Sequence, residues 1–386
     1  VLALNTLNIG KIKKGMRVIV RADFDVPIRG GKVQDDTRIR AHEATLRALA
    51  SRSARIRIVA HRGRPGGIHD SGLSLAPASR ALSRLLRRRV VLASDPFSPA
   101  AYERFNDTED IVVFENIRFW PGEEKNTAAF ARSLAQWGDS YVNEAFANCH
   151  RVHASMVGLP KLLPAFAGIH LADEVAALGR VMKNPKRPLV AILGGAKIET
   201  KLPLITRFLR DADRVLIGGA LANTIFFHLG KGVGKSRIDK GVRMKKLLFS
   251  HKKLCIPDDV VVTSRLAAGS AYRVCGVDDV ALDEYIVDIG PATQTRFASY
   301  IRAARTVVWN GPMGLAEIPA FAAGTKVLSS AVARSRAFSV VGGGDTIAAL
   351  RRLKILSAFS HVSTGGGAML EFLAGEKLSA LELLKK

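Results

Sequence analysis

Cysteine is nearly absent from this 386-residue chain: Cys149, Cys255 and Cys275 are odd in number and far apart. Without a CxxC pair there is no zinc knuckle and no redox dithiol, so the three read as buried thiols. Long apolar runs are missing too; nothing approaches the roughly 18 consecutive apolar residues of a membrane-spanning helix. The opening VLALNTLNIGKIKKG lacks the layout of a secretion signal, and a cytoplasmic protein is expected. No GxGxxG opens either half, and the serine-elbow and cysteine-nucleophile motifs are absent. GKGVGKS, 230–236, falls short of a P-loop because Leu229 stands where that pattern needs glycine, and no strand pattern precedes it.

Acidic residues are scarce: 34 Asp and Glu face 58 Lys and Arg, a formal net charge of +24. Such a field favours anionic partners and speeds their arrival without specifying a fold. Between Ala44 and Ser94 eleven arginines accompany one acid, Asp70. That span contains no Phe, Tyr or Trp to stack on bases, and no zinc-finger or basic-zipper pattern accompanies it. We read it as a solvated basic surface and do not expect nucleic acid as a partner.

What is present is ample apolar material, 48% of residues, in a chain long enough for two domains. Short β-branched runs alternate with amphipathic stretches: RVIVRADF (17–24), RIRIVAHR (55–62), DIVVFENIRF (110–119) and DSYVNEAF (139–146), then PLVAILGG (188–195), RVLIGGA (214–220), ARTVVWNG (304–311), FSVVGGGD (338–345) and FSHVSTGG (359–366). This alternation predicts an α/β protein with two doubly wound, Rossmann-like parallel sheets. HLADEVAALGRVMK reads as a helical connector before the NPKRP punctuation. Ligands of open parallel sheets sit beyond the carboxyl ends of the strands.

In the first half those ends carry Asp23 and Asp25, then DDTRIR, where Asp35 or Asp36 caps a helix with Arg38 in its first turn, a cation set against the helix dipole. HRGRP supplies His61 and Arg64, ENIRF supplies Arg118, and HRVHAS supplies His150, Arg151 and His153. With Arg21 these predict a basic crevice for an acidic ligand, because Arg forks match carboxylate and phosphate. Any one of them alone also reads as a surface ion-pair partner. In the second half four strand–glycine–helix junctions, at Gly195, Gly219, Gly343–Gly344 and Gly366–Gly367, offer bare backbone amides and helix N-termini to a phosphate chain. Lys197 and Lys201 share a helix face there. Asp345 would repel phosphate unless Mg²⁺ lay between them; Asp345 and Thr346 also read as ordinary helix caps. An acid crevice facing a magnesium-nucleotide crevice points to phosphoryl transfer.

RADFDVP, DDTRIR, HRGRP, ENIRFWPGEEKN, NEAFANCHRVHAS, GGAKIETK, WNGPMG, GGGDT and STGGGA follow one another from about Leu7 to Lys377, and in this the chain resembles the phosphoglycerate kinases. The resemblance implies reversible transfer of the 1-phosphate of 1,3-bisphosphoglycerate to ADP, giving 3-phosphoglycerate and ATP. It implies that Asp23, Asp25, Arg38, His61, Arg64, Arg118 and Arg151 bind the triose acid. Arg38 and Lys197, with amides near Gly343, Gly344, Gly366 and Gly367, would stabilise the phosphoryl group in flight. Gly195, Lys197, Lys201, Gly219, Asn310, Glu317, Gly344, Asp345 and Thr346 would hold the nucleotide, with Asp345 on magnesium. It also implies a monomer with a triose-acid domain at 1–168, an interdomain helix at 169–185, a nucleotide domain at 186–369, a tail at about 370–386 that packs back on the first domain, and hinge closure. The chain departs from the family's usual residues at Asp25 (Asn), Arg62 (Leu), Ala220 (Gly), Ala292 (Lys) and in LAE, 315–317, where a phenylalanine usually precedes Glu317. A kinase of this fold acting on another acyl phosphate, and a polyanion-binding protein, are the rival readings.

Overall fold

The computed structural model describes residues 2–196, 198–241 and 250–386. The chain divides into two compact units, one running to Ala176 and including Lys377–Lys386, the other Ala177–Glu376. Each is built on a six-stranded sheet.

The first unit contains β1 (Arg17–Arg21), a hairpin of β2 (Ile28–Arg29) and β3 (Lys32–Val33), β4 (Arg55–Val59), β5 (Val90–Ala93), β6 (Ile111–Phe114), β7 (Ser140–Asn143) and β8 (Ala165–Ala167). The sheet order is β5-β6-β4-β1-β7-β8, parallel throughout. Its central strands β1, β4, β6 and β7 are buried along most of their length because both faces are covered. Val18 and Val20 pack with Leu46 and Leu82 on one side, Ile19 with Phe114 and Trp137 on the other. The winding reverses at β1, which places the ends of β1, β4 and β7 around one crevice.

The second unit contains β9 (Leu189–Leu193), β10 (Arg214–Ile217), β11 (Leu254–Cys255), β12 (Asp259–Thr263), β13 (Arg273–Gly276), β14 (Tyr285–Ile289), β15 (Thr306–Asn310), β16 (Phe338–Gly342) and β17 (His361–Ser363). The order β11-β10-β9-β15-β16-β17 is again wholly parallel. Helix Ile169–Lys183 carries the chain from one unit into the other.

All nine runs picked out by alternation contain strands of these sheets. Sequence reading missed β5, β8 and β11, and also the antiparallel sheet β13-β12-β14 inserted after β11. Cys149 and Cys255 are buried, as expected; Cys275 is not, because it lies on β13 at the edge of that added sheet.

Candidate active site

In the first unit the carboxyl ends of the strands gather the predicted cluster. The short helix Thr37–Ala41 is opened by Asp35, whose Oδ1 accepts from the Thr37 amide at 3.0 Å, while Asp36 pairs instead with Arg40 at 2.8 Å. Arg38 in its first turn donates through Nη1 to Asp23 Oδ2 at 3.0 Å. Asp23 is buried and its other oxygen accepts from the Asp25 amide at 3.1 Å, so this carboxylate serves to orient Arg38. Asp25 is exposed; its Oδ1 accepts from the Gly63 amide at 3.0 Å, and its Oδ2 lies 3.9 Å from Arg38.

Behind this pair the charge is desolvated. Arg118 is buried, donates to the Gly63 carbonyl at 2.7 Å, and is pushed down to about 10 by burial and then by Arg21. His61 is held well below the usual histidine range by burial first, then by Arg21, Arg118 and Arg38. Burial, Arg151 and Arg118 push His150 down to about 4. His153 falls to about 4 through burial, Arg118 and Arg21. The Nδ1 atoms of both have no hydrogen-bond partner among the described residues. All three imidazoles are therefore neutral at pH 7, and the positive charge that an anion would relieve is carried by the neighbouring arginines.

Two predicted members sit differently. Arg21 does not project into the crevice: its guanidinium is fully buried, donating to Ser155 Oγ at 2.8 Å and lying 3.4 Å from His61 Nδ1, so it supports the crevice from beneath. Arg64 is exposed, and among the described residues no contact ties it to the others. Arg151 is also exposed, but it lies close enough to depress both histidines.

In the second unit two of the glycine junctions, Gly195 and Gly219, border a cavity of about 600 Å³ lined also by Ala220, Pro312, Glu317 and Asp345 among others. Close approach explains Gly219 and Gly343, whereas a Cβ on Gly344 or Gly366 would meet open space. A Cβ on Gly219 would lie 2.8 Å from the Gly195 nitrogen. Gly343, at φ +98, precedes helix Gly344–Arg352, and a Cβ there would lie 2.8 Å from Asn310 Nδ2. Asn310 donates through that nitrogen to the Gly342 carbonyl at 3.0 Å. Thr346 is buried and its Oγ1 accepts from the Gly311 amide at 2.7 Å, tying the helix to the end of β15. Lys201 donates to the Gly194 carbonyl and is pushed down to about 8 by burial, against the opposing pull of Asp345. Asp345 and Glu317 are exposed at the cavity, and Gly366, at φ +53, precedes helix Gly367–Ala374 without lining it. Lys197 lies outside the described residues. Sequence reading did not single out two further lining residues, Asn223, whose buried Oδ1 has no hydrogen-bond partner among the described residues, and Asp288. Asn223 lies about one turn into the helix that begins at Gly219, and Asp288 lies within β14, so neither is one of the glycine-turn positions on which that reading relied.

The family model described as phosphoglycerate kinase matches residues 10–376. The chain belongs to the phosphoglycerate kinase family. It is 44% identical over 375 residues to the phosphoglycerate kinase of Rubrobacter xylanophilus and 43% identical over 385 residues to that of Thermus thermophilus, covering 96% of this chain in each case and 96% and 97% of those proteins. The solved phosphoglycerate kinase of Coxiella burnetii superposes with a TM-score of 0.85 at 37% identity, covering 98% of both chains. That of Pyrococcus horikoshii gives 0.82 at 32% identity, covering 97% of both. As a phosphoglycerate kinase family member this chain is an ATP-binding phosphotransferase of glycolysis. Among the described residues no helix is long and apolar enough to cross a membrane.

Three of the departures from the family's usual residues, Asp25, Arg62 and Ala292, have local explanations, and nothing in the structure explains Ala220 or the LAE stretch. The extra charge of Asp25 is offset by Arg38 and the Gly63 amide. Arg62 clamps loops, donating to the Gly72 carbonyl at 2.6 Å. Ala292 opens helix Pro291–Ala303 with its amide 2.9 Å from Asp259 Oδ2, so its backbone is what that turn uses. Ala220 lines the cavity.

Proposed function

We propose that the chain transfers the 1-phosphate of 1,3-bisphosphoglycerate to ADP, giving 3-phosphoglycerate and ATP, and catalyses the reverse. The triose acid binds in the first unit at Asp23, Asp25, Arg38, His61, Arg64, Arg118 and Arg151. The nucleotide binds in the second at Gly195, Lys201, Gly219, Asn310, Glu317 and the Gly344–Thr346 turn, with Lys197 completing the set. The observation that carries this reading is the desolvated basic crevice. Arg38, Arg118 and Arg151 gather there, Arg118 pushed down by burial and by Arg21, and a phosphorylated acid supplies charge that offsets them.

Arg38, oriented by Asp23, spreads positive charge over the equatorial oxygens of the phosphoryl group as it passes in line from acyl oxygen to nucleotide. The amides around Gly343, Gly344, Gly366 and Gly367 and the N-termini of their helices do the same from the other side. Asp345 fits a magnesium ion, which takes one or two carboxylates plus phosphate oxygens. Bound there, Mg²⁺ would neutralise phosphate charge. Closure about helix Ile169–Lys183 brings donor and acceptor together and excludes water that would hydrolyse the acyl phosphate. One chain provides both pockets, so a monomer in the cytoplasm suffices.

A coupled assay with ATP, Mg²⁺ and 3-phosphoglycerate, run beside other small carboxylates, tests this. Turnover confined to 3-phosphoglycerate is expected. Turnover on a different acid alone would replace the substrate while keeping the fold and chemistry.

A further inference from the structure

Beneath the acid crevice lies a chain of polar groups that core packing does not explain. His42 sits between helices Thr37–Ala41 and Glu43–Ser51 and is 1% exposed. Its Nε2 is 3.0 Å from the Asp23 amide nitrogen and 3.3 Å from the carbonyl oxygen of the same residue. An amide N–H only donates, so at the shorter contact Nε2 holds a lone pair, and the proton of the neutral ring sits on Nδ1. That Nδ1 has no hydrogen-bond partner among the described residues; Glu144 Oε2 is 3.9 Å away.

Glu144, itself fully buried, reaches the N-terminus of helix Ile169–Lys183. Its Oε2 accepts from the Leu171 amide at 3.2 Å, and its Oε1 accepts from the Thr45 hydroxyl. Thr45 Oγ1 accepts in turn from the Ile169 amide at 2.9 Å. Two of the otherwise orphaned donors at the start of helix Ile169–Lys183 are thus held by first-unit side chains, and a carboxylate sits where the helix dipole favours one.

We propose that His42 is a positioning residue that joins binding of the acid to the seating of helix Ile169–Lys183. It fixes the backbone of Asp23, whose carboxylate orients Arg38, and it presents its Nδ1 proton to the carboxylate that caps the helix. When the acid draws on Arg38 and Asp23, the ring turns and the Nδ1–Glu144 separation shortens to a hydrogen bond. The inference rests on the triose-acid reading of the crevice.

The test uses the full chain with two substitutions. His42→Leu removes both ring nitrogens, whereas His42→Gln offers a carboxamide oxygen at the reach of Nε2 and restores the acceptor for Asp23. In His42→Leu the KM for 3-phosphoglycerate rises about tenfold, the range set by stranding one buried donor, while kcat and the KM for ATP stay within about twofold. His42→Gln recovers most of that loss. In the wild-type protein, ¹⁵N spectra of labelled histidine, assigned by the Gln variant, show His42 protonated at Nδ1, with that proton moving downfield when 3-phosphoglycerate is added. An unchanged KM for the acid, a parallel rise in both KM values, or a proton on Nε2 overturns the proposal. Wild-type protein that fails to phosphorylate 3-phosphoglycerate refutes the assigned reaction instead, and the spectrum still decides the tautomer.

Discussion

Arg38 is half-buried and held at one nitrogen by Asp23, which leaves the rest of its fork for a ligand. Replacing it with alanine removes transition-state charge stabilisation, and kcat should fall by about two to three orders of magnitude, the usual cost of losing such a donor. Steady-state rates in both directions check this; a loss confined to KM would make Arg38 a binding group only. The neutral histidines lead to a second expectation. A phosphate placed beside His150 and His153 raises both from about 4, so binding of 3-phosphoglycerate near pH 6 draws protons from solution. Titration calorimetry in buffers of different ionisation enthalpy measures that uptake, and zero uptake would place the anion elsewhere. Residue types at strand ends foretold these groups, but not their depth. Arg21 belongs to the set by position, yet a strand alternates its side chains, and burial on the far side of His61 turned this arginine into a support.

Strand–glycine–helix junctions were readable because glycine is needed there for a reason visible in one dimension: a tight turn into a helix aimed at phosphate. Gly343 tests that reason. Alanine there must adopt φ near +98 and would bring a methyl to 2.8 Å from Asn310 Nδ2. The strain is about 1–3 kcal/mol, and displacing Asn310 should cost nucleotide affinity. Gly343→Ala is therefore expected to raise the KM for ATP severalfold with little change in that for the acid. Equal changes in both would mean the junction is structural alone. Elements with weaker signals escaped. β5 follows Arg87, Arg88 and Arg89, so its four apolar residues are masked by charge. β8 and β11 are three and two residues long, too short for any period to register. The antiparallel sheet β13-β12-β14 breaks the strand–helix rhythm. Its strand β12 reads DVVVT, three consecutive apolar residues with no alternation to register.

At the scale of the whole molecule the two units respond to acid in opposite senses. In the first, His150 and His153 titrate at about 4 when folded, against an ordinary 6.5, and His61 is depressed as well. The unfolded chain binds protons that the folded one refuses, so their contribution to stability is complete above about pH 6.5 and is lost as pH falls toward 4. Buried Glu123, raised by desolvation, works against this, but it is one group against three. In the second unit Asp288 is buried at the wall of the glycine-bordered cavity and raised to about 7 by desolvation, despite accepting from the Gly324 amide at 2.7 Å. Its contribution is complete below the ordinary carboxylate value near 4 and is lost as pH rises through 7. Lowering pH from 7 to 5 should therefore weaken the first unit while strengthening the second. Hydrogen exchange resolved by peptide, corrected for intrinsic rates, reads the two separately. Protection along β4 and β7 should decline while that along β9 and β15 holds or grows. Saturating 3-phosphoglycerate should abolish the decline in the first unit, because the bound anion offsets the protonation cost of the histidines. If both units lose protection together, or if the ligand fails to rescue the first, then the buried charges are balanced by groups other than those named, and the anion does not sit among the three histidines.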